Sequence, residues 1–262
     1  GLPFYRQAAM YGCLGTPIAV ATQYELVAAA AEKMRPAHNE LTLLAAQGKI
    51  GYSDDTSGKI LQFVREDGDK RTGIHTTGII SVHEAFQIAL FFTGRDHAGE
   101  NMSKLLRKRE PDLPAMIRMS DALAANFVEL ESDEDVIACC ITHGRRNFVK
   151  IAEDFPEDCR HILTAIGTIY HHDRLSREAG HSAEERLVFH QRESQPVMEG
   201  LKEWLETELN EKRVEPNSKL GKAMNYMLNH WTGLTLFLRV PGAPLDNNAA
   251  ERAIRALVLG RR

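Results

Sequence analysis

The hydrophobic period changes twice along this chain, and that limits the available folds more than any single motif does. Residues 1 to 48 and the stretch from Arg145 to about Arg239 carry apolar residues at helical spacing. Between 49 and 143 the apolar residues come instead in short runs rich in Ile, Thr and Val, bounded by turn residues. The runs predict strands at Lys49–Ser53, Ile74–Ser81, Gln87–Phe92, Ala115–Ser120 and Asp135–Thr142. His83-Glu84 lies in a hairpin connection, and Asp54-Asp55-Thr56-Ser57-Gly58 reads as a turn. A helix is expected over His97–Arg109, stopped by Pro111, with a short one after Asp121. Three strands, helix, strand, helix, strand is a mixed α/β order. The run DVIACCIT over Asp135–Thr142 is nearly all apolar, which places it at the centre of the sheet.

In the first segment Thr22-Gln23-Tyr24-Glu25 is a capping box, Pro36 is expected to break the helix, and Gly48 ends the next one. Both helices are expected to pack on the strand region. The late segment offers Pro156 at a helix N1, a second capping box at Ser182–Glu185, a restart at Pro196 and a cap at Asn217 or Ser218. Its Met and Trp stripe (Met224, Met227, Trp231) reads as core.

No apolar run approaches the roughly 20 residues a membrane span needs, and no signal-peptide pattern opens the chain. Cys13, Cys139, Cys140 and Cys159 form no C-x-x-C, so a reducing cytoplasm fits best. The formal net charge of -4 does not advertise nucleic-acid binding, although a local basic face can still take phosphates. Starting at Gly1 and stopping on Arg261-Arg262, the chain reads as a piece of something longer.

The chemistry concentrates at the end. Pro241, Gly242 and Pro244 make a turn, after which Asp246, Asn247 or Asn248 can cap a helix with Ala250, Ile254, Leu257 and Val258 on one stripe. Glu251 stands three residues after Asn248, so it can close a capping box. It can equally be one of several carboxylates around a divalent ion. Asp54 and Asp121 come after the first and fourth predicted strands, where aspartates by default make turns. They converge with Glu251 if those strands are neighbours and the last helix packs across them. Phosphodiester chemistry needs such a group: hard oxygens holding two ions about 3.5–4 Å apart, one at the attacking and one at the leaving oxygen. Spacing leaves Asp54 and Asp55 as alternatives, since successive strand residues face opposite ways, and Asp246 as a rival to Glu251.

Cys140-x-x-His143-Gly144-Arg145-Arg146-Asn147-Phe148 closes the fifth strand. No second pair at ligand spacing accompanies Cys140 and His143, which argues against zinc there. His143 can contact DNA or orient a carboxylate, and Arg145, Arg146, Arg252 and Arg255 can touch phosphates. Lys104, Arg107, Lys108 and Arg109 make a positive helix end of the kind the helix dipole favours.

These motifs together resemble the catalytic region of bacterial transposases of the insertion-sequence-66 family, a group of DDE transposases. Leu2-Pro3-Phe4-Tyr5-Arg6-Gln7 resembles that family's lead-in, and Ser53-Asp54-Asp55-Thr56 its first acidic motif, usually Ala-Asp-Glu-Thr. Asp121-Ala122-Leu123 is similar to the second aspartate motif, and His143-Gly144-Arg145-Arg146-Asn147-Phe148 to an Ala-His-x-Arg-Arg-x-Phe element. Asp246-Asn247-Asn248-Ala249-Ala250-Glu251-Arg252 resembles the family's most specific signature, Asp-Asn-Asn-x-x-Glu-Arg. The family's amino-terminal coiled-coil and zinc-binding regions are not in this sequence.

The resemblance implies an RNase H-like fold, with a mixed five-stranded sheet flanked by helices and a large all-helical insertion before the last catalytic helix. The implied divisions are a lead-in at 1–48, a catalytic core at 49–146 and 241–262, and an insertion at 147–240. It implies a triad of Asp54, Asp121 and Glu251 holding two Mg²⁺ ions, with Mn²⁺ as a substitute. DNA contacts are implied for His143, Arg145, Arg146, Asn248, Arg252 and Arg255. The expected partners are element-end and target DNA and further copies of the chain, with no membrane. The expected activity is DNA cleavage and strand transfer. Its rivals are an RNase H-like nuclease that only hydrolyses and an inactive remnant that only binds.

Overall fold

The computed structural model describes residues 2–58, 73–122 and 136–259. Its centre is a five-stranded sheet in the order β3-β2-β1-β4-β5. The strands are β1 (Ile50–Gly58), β2 (Ile74–Val82), β3 (Gln87–Gly94), β4 (Ile117–Ser120) and β5 (Val136–Cys139). β1 pairs antiparallel with β2, and β2 with β3, while β4 runs parallel to β1 and β5 parallel to β4. This is the RNase H-like arrangement. The helix expected after Asp121 falls at residues outside those described.

Strand alternation gives the sheet two unlike faces. On one face Ile79, Ile88, Leu90 and Met116 pack with Met102 and Leu105 of α3 (Ala98–Leu106) and with Ala45 and Ala46 at the end of α2 (Val20–Ala46). On the other, Ile117, Met119 and Ala138 join the larger core, which also takes in Cys139 at the end of β5. That core draws on α4 (Ile141–Val149), α5 (Pro156–Glu178), α7 (Gln195–Asn210), α8 (Lys219–Asn229), α9 (Trp231–Leu234) and a 3₁₀ turn at Leu236–Leu238. The Met stripe is core as read: Met224 and Met227 are fully buried. α6 (Ala183–Glu193) packs on α5 and α7, and α10 (Asn248–Leu259) packs on β1 and β2.

Several local signals hold. Pro156 opens α5, the Ser182–Glu185 capping box makes both of its hydrogen bonds, α7 restarts with Pro196 in its first turn, and the Ser218 hydroxyl caps α8.

Others are overturned. α1 (Phe4–Cys13) is followed by one continuous α2 with Pro36 inside it. Proline in a helix interior costs about 3 kcal/mol, but the turns on both sides of Pro36 keep the ladder going. α2 also starts before the Thr22–Glu25 box, because the Ala19 carbonyl already accepts the Gln23 amide (3.0 Å) and the Gln23 side chain donates to the Ile18 carbonyl (2.9 Å). Within α2 only Gln23, Thr42, Ala45 and Ala46 are buried, so the helix meets the strand region at its C-terminal end and stays exposed over most of its length. β5 is an edge strand, not the central one. Its apolar run is explained by α9 and the 3₁₀ turn packing on it.

Candidate active site

β1 does not end at Ser53. Its pairing with β2 continues through Asp54↔Gly78 and Asp55↔Thr77 to Gly58↔Ile74, so both acids lie within a strand rather than in a turn. The β1–β4 pairing stops earlier, at Tyr52↔Met119. Two residues further on, Asp54 is still in β1, on the face of Tyr52, and Asp121 comes just after β4 ends at Ser120. Asp54 therefore sits where β1 and β4 part, beside Gly78. A Cβ at Gly78 would fall 2.7 Å from Ile254 Cγ1, so the missing side chain is what lets α10 lie against the sheet next to Asp54.

Asp55 points the other way and is fully engaged. Its Oδ1 accepts from the Thr77 hydroxyl (2.6 Å), and its Oδ2 accepts from His97 Nδ1 (3.1 Å) and the Ala98 amide (2.9 Å). The choice that spacing left open is thus one of faces: Asp54 looks toward α10, Asp55 toward α3.

α10 begins at Asn248, with Asn247 before it. The Asp246 carboxylate accepts the Asn248 amide (3.1 Å), as aspartates do in turns. The capping duty that Glu251 could have had is taken by its neighbours. Asn247 is completely buried and ties the helix start to the sheet: its Nδ2 donates to the Ser53 carbonyl (2.8 Å) and its amide to Cys140 Sγ (3.2 Å). The stripe of Ala250 and Ile254 is buried, as periodicity indicates.

Glu251 faces α4 instead. Its Oε2 accepts from Arg146 (2.7 Å), and Oε1 lies 3.8 Å from His143 Nε2, which in turn accepts from Arg146 Nη1 (3.1 Å). Glu251 Oε1, His143 Nδ1 and Asn247 Oδ1 are buried without a hydrogen-bond partner among the described residues. His143 and Arg146 sit on the first turns of α4, since β5 ends at Cys139 and not at Thr142. Cys140, His143 and Glu251 also offer donor atoms within 4.8 Å of one another, a third ligand that a search for a second Cys/His pair does not find. Burial pushes the Cys140 thiol up, away from the thiolate that a soft ion prefers.

Asp54 carries the electrostatic signature. Burial raises its carboxyl to about 6, with a contrary push from the Asp55 amide hydrogen bond and further upward pushes from Asp121 and Glu251. The three predicted acids therefore share one electrostatic environment. Carboxylate oxygens that repel one another are of the kind Mg²⁺ or Mn²⁺ takes, while the donor atoms that lie within 4.8 Å of Glu251 in a group of three are those of Cys140 and His143. Of the other predicted residues, Arg145, Arg252 and Arg255 are exposed, and Asn248 is half-buried at the helix start. Sequence reasoning missed Asn247 and Gly78 as the residues that seat α10. It also missed the Arg146–Glu251 pair, since residues 105 apart show no pairing signal in the chain.

The raised Asp54 carboxyl makes stability depend on pH. Asp54 titrates at 3.8 when unfolded and about 6 when folded, so between these values the folded chain holds more protons. Stability without metal is then expected to fall as pH rises through that window, by on the order of 1–3 kcal/mol. Thermal melts in chelator at pH 4.5 and pH 7 would register the fall, and in Asp54→Asn this part of the slope disappears.

Among the described residues no helix is long and apolar enough to cross a membrane. The sequence profile described as "Transposase IS66 family" matches residues 1–262. The chain is similar to the uncharacterized protein y4hP of Sinorhizobium fredii (strain NBRC 101917 / NGR234), 27% identical across 99% of this chain and 49% of that protein. It is also similar to the uncharacterized protein y4jD of the same organism, 36% identical across 48% of this chain and 24% of that protein. The chain spans about half the length, or less, of these curated relatives. No solved structure matches.

Proposed function

The chain belongs to the IS66 family of transposases, and from that premise we propose that it is the catalytic region of a DDE enzyme that cuts DNA at the ends of an insertion sequence and joins them to a target. In this reading 49–146 and 241–262 form the catalytic core, 147–240 is inserted into it, and 1–48 leads in. One observation carries the proposal. Asp54, half-buried in β1, stands where β1 and β4 part and beside Gly78, against which α10 lies, and its carboxyl is raised first by burial and then by Asp121 and Glu251. Three acids drawn from distant parts of a chain to share one field favour a cation-binding role over three separate turn and cap roles.

Asp54, Asp121 and Glu251 would hold two Mg²⁺ ions, which supply charge neutralisation at the attacking and leaving oxygens of the phosphodiester. The residues do the positioning. Arg146 holds Glu251 in place, His143 closes the same corner, and Asn247 fixes the start of α10 to β1. Exposed Arg145, Arg252 and Arg255, with His143, Arg146 and Asn248, would contact DNA phosphates, in an active complex of several copies of the chain.

Strand transfer tests the reading. Labelled element-end DNA is incubated with target duplex and Mg²⁺, and products are resolved on a gel. Joined end–target product is the expected result. Nicking without joining would leave an RNase H-like nuclease, and binding without either would leave a remnant.

A further inference from the structure

On the face of the sheet away from the carboxylates lies a second cluster with metal chemistry. Asp55 of β1, His75 of β2 and His97 just before α3 present donor atoms within 4.8 Å of one another. We propose that Asp55, His75 and His97 form a separate site for a divalent transition ion of borderline softness, such as Zn²⁺ or Co²⁺. Two imidazoles and one carboxylate suit such ions better than Mg²⁺, which prefers oxygen throughout.

The geometry supports this in three ways. The first is donor spacing. His97 Nδ1 and Asp55 Oδ2 are 3.1 Å apart, close to the roughly 3.4 Å that separates two ligands each about 2.0–2.1 Å from a tetrahedral ion. The ion would take the place of the hydrogen that now bridges them, with His97 in the tautomer that carries its hydrogen on Nε2.

The second is approach. The His75 and His97 rings lie 4.1 Å apart, and a Cβ at Gly73 would come within 2.8 Å of His75 Nε2. The absent side chain leaves that nitrogen room. All three ligand residues are part-buried, so water can fill a fourth position.

The third is outer support. Thr77 donates to Asp55 Oδ1, and Asn101 donates to the Thr77 hydroxyl (2.8 Å) while also bonding the Asp96 carbonyl (3.2 Å). Thr77 is fully buried and Asn101 nearly so. Such a chain of bonds orients a ligating carboxylate from behind. An ion here would join β1, β2 and the start of α3, with Asp54 on the opposite side of β1.

Visible absorption and calorimetry with Co²⁺ on the untagged chain test the site. A tetrahedral d–d band that saturates at one Co²⁺ per chain is expected, whatever further Co²⁺ the carboxylates take without such a band. His75→Ala and His97→Ala should each lose the band and weaken binding by tenfold or more, and Thr77→Val should weaken it less. Circular dichroism of His75→Gln and His97→Gln, expected to stay folded yet also lose the band, separates ligand loss from unfolding. Glu251→Gln should keep the band. A parent without the band overturns the proposal. So does a folded His75 or His97 variant that retains it, or loss in Glu251→Gln, which would put the ion among the active-site carboxylates instead.

Discussion

Glu251→Gln is expected to lower metal-dependent DNA cleavage by about 10³-fold or more, because a catalytic ion contributes several kcal/mol of transition-state stabilisation and each 1.4 kcal/mol is tenfold. The amide keeps the shape of the side chain and one oxygen, but loses the charge that holds an ion. Asp54→Asn should lose activity equally, with an opposite effect on the fold. Asp54 is a partly buried acid repelled by Asp121 and Glu251, so its neutral replacement should melt higher than the parent in chelator at pH 7. Higher stability together with lost activity marks a group held against its electrostatic preference for function. Gel-based cleavage assays and melts on the same preparations measure both. A variant that cleaves normally would remove Asp54 or Glu251 from the centre, and an Asp54→Asn chain that is inactive but also less stable would make Asp54 a structural support.

The second large effect is in the helical layer. Asp173 of α5 is buried and pairs with Arg186 (2.7 Å) and Arg177 (2.7 Å), with His190 of α6 at 3.4 Å. His190 and His172 share the fully buried Ser194 hydroxyl (2.9 and 3.1 Å), which ties α5 and α6 to the junction with α7. Asp173→Ala removes the anion and leaves His190 and half-buried Arg186 without it. Breaking one partner of such a network costs about 3 kcal/mol, which for a chain of this size is a fall of roughly 6–12 °C in melting midpoint. The same group sets an acid limit. Burial pushes the Asp173 carboxyl up, but His190, Arg177 and Arg186 more than offset it, and the net shift is downward. Its contribution is therefore present above the ordinary carboxylate range near 4 and lost as pH falls through its lowered folded value. Differential scanning calorimetry of parent and variant at pH 7 and pH 3 checks both statements. Equal midpoints at pH 7 would make the cluster a bystander.

How much of this was legible in the chain depended on distance along it. Ser182–Glu185, Pro156 and Ser218 set helix ends through contacts within a turn, so reading them needed no tertiary information. The period change at residue 49 and the order of strands determined the fold class, because a half-buried strand and an amphipathic helix need different spacings of apolar residues. The Asp-Asn-Asn-x-x-Glu-Arg signature pointed to Glu251 through family likeness, not through any local physical rule.

Where a local rule met a competing partner it failed. Asp54-Asp55 looked like a turn, but β2 offers Gly78 and Thr77 opposite them, and a strand forms. Asn248 and Glu251 looked like a capping box, but Asp246 supplies the cap and Glu251 turns to Arg146. The apolar run of β5 looked central, but its cover comes from helices more than ninety residues later in the chain.

The sequence by itself determined the mixed α/β class, most helix starts and the set of acids from which a centre could be drawn. Only the tertiary structure decided which face Asp54 and Asp55 take, that Asp121 follows the end of the strand parallel to β1, and that Glu251 meets Arg146. The reason is physical. Propensity and periodicity act over a few bonds, whereas the field at a carboxylate is summed over every charge and dipole that folding brings near it.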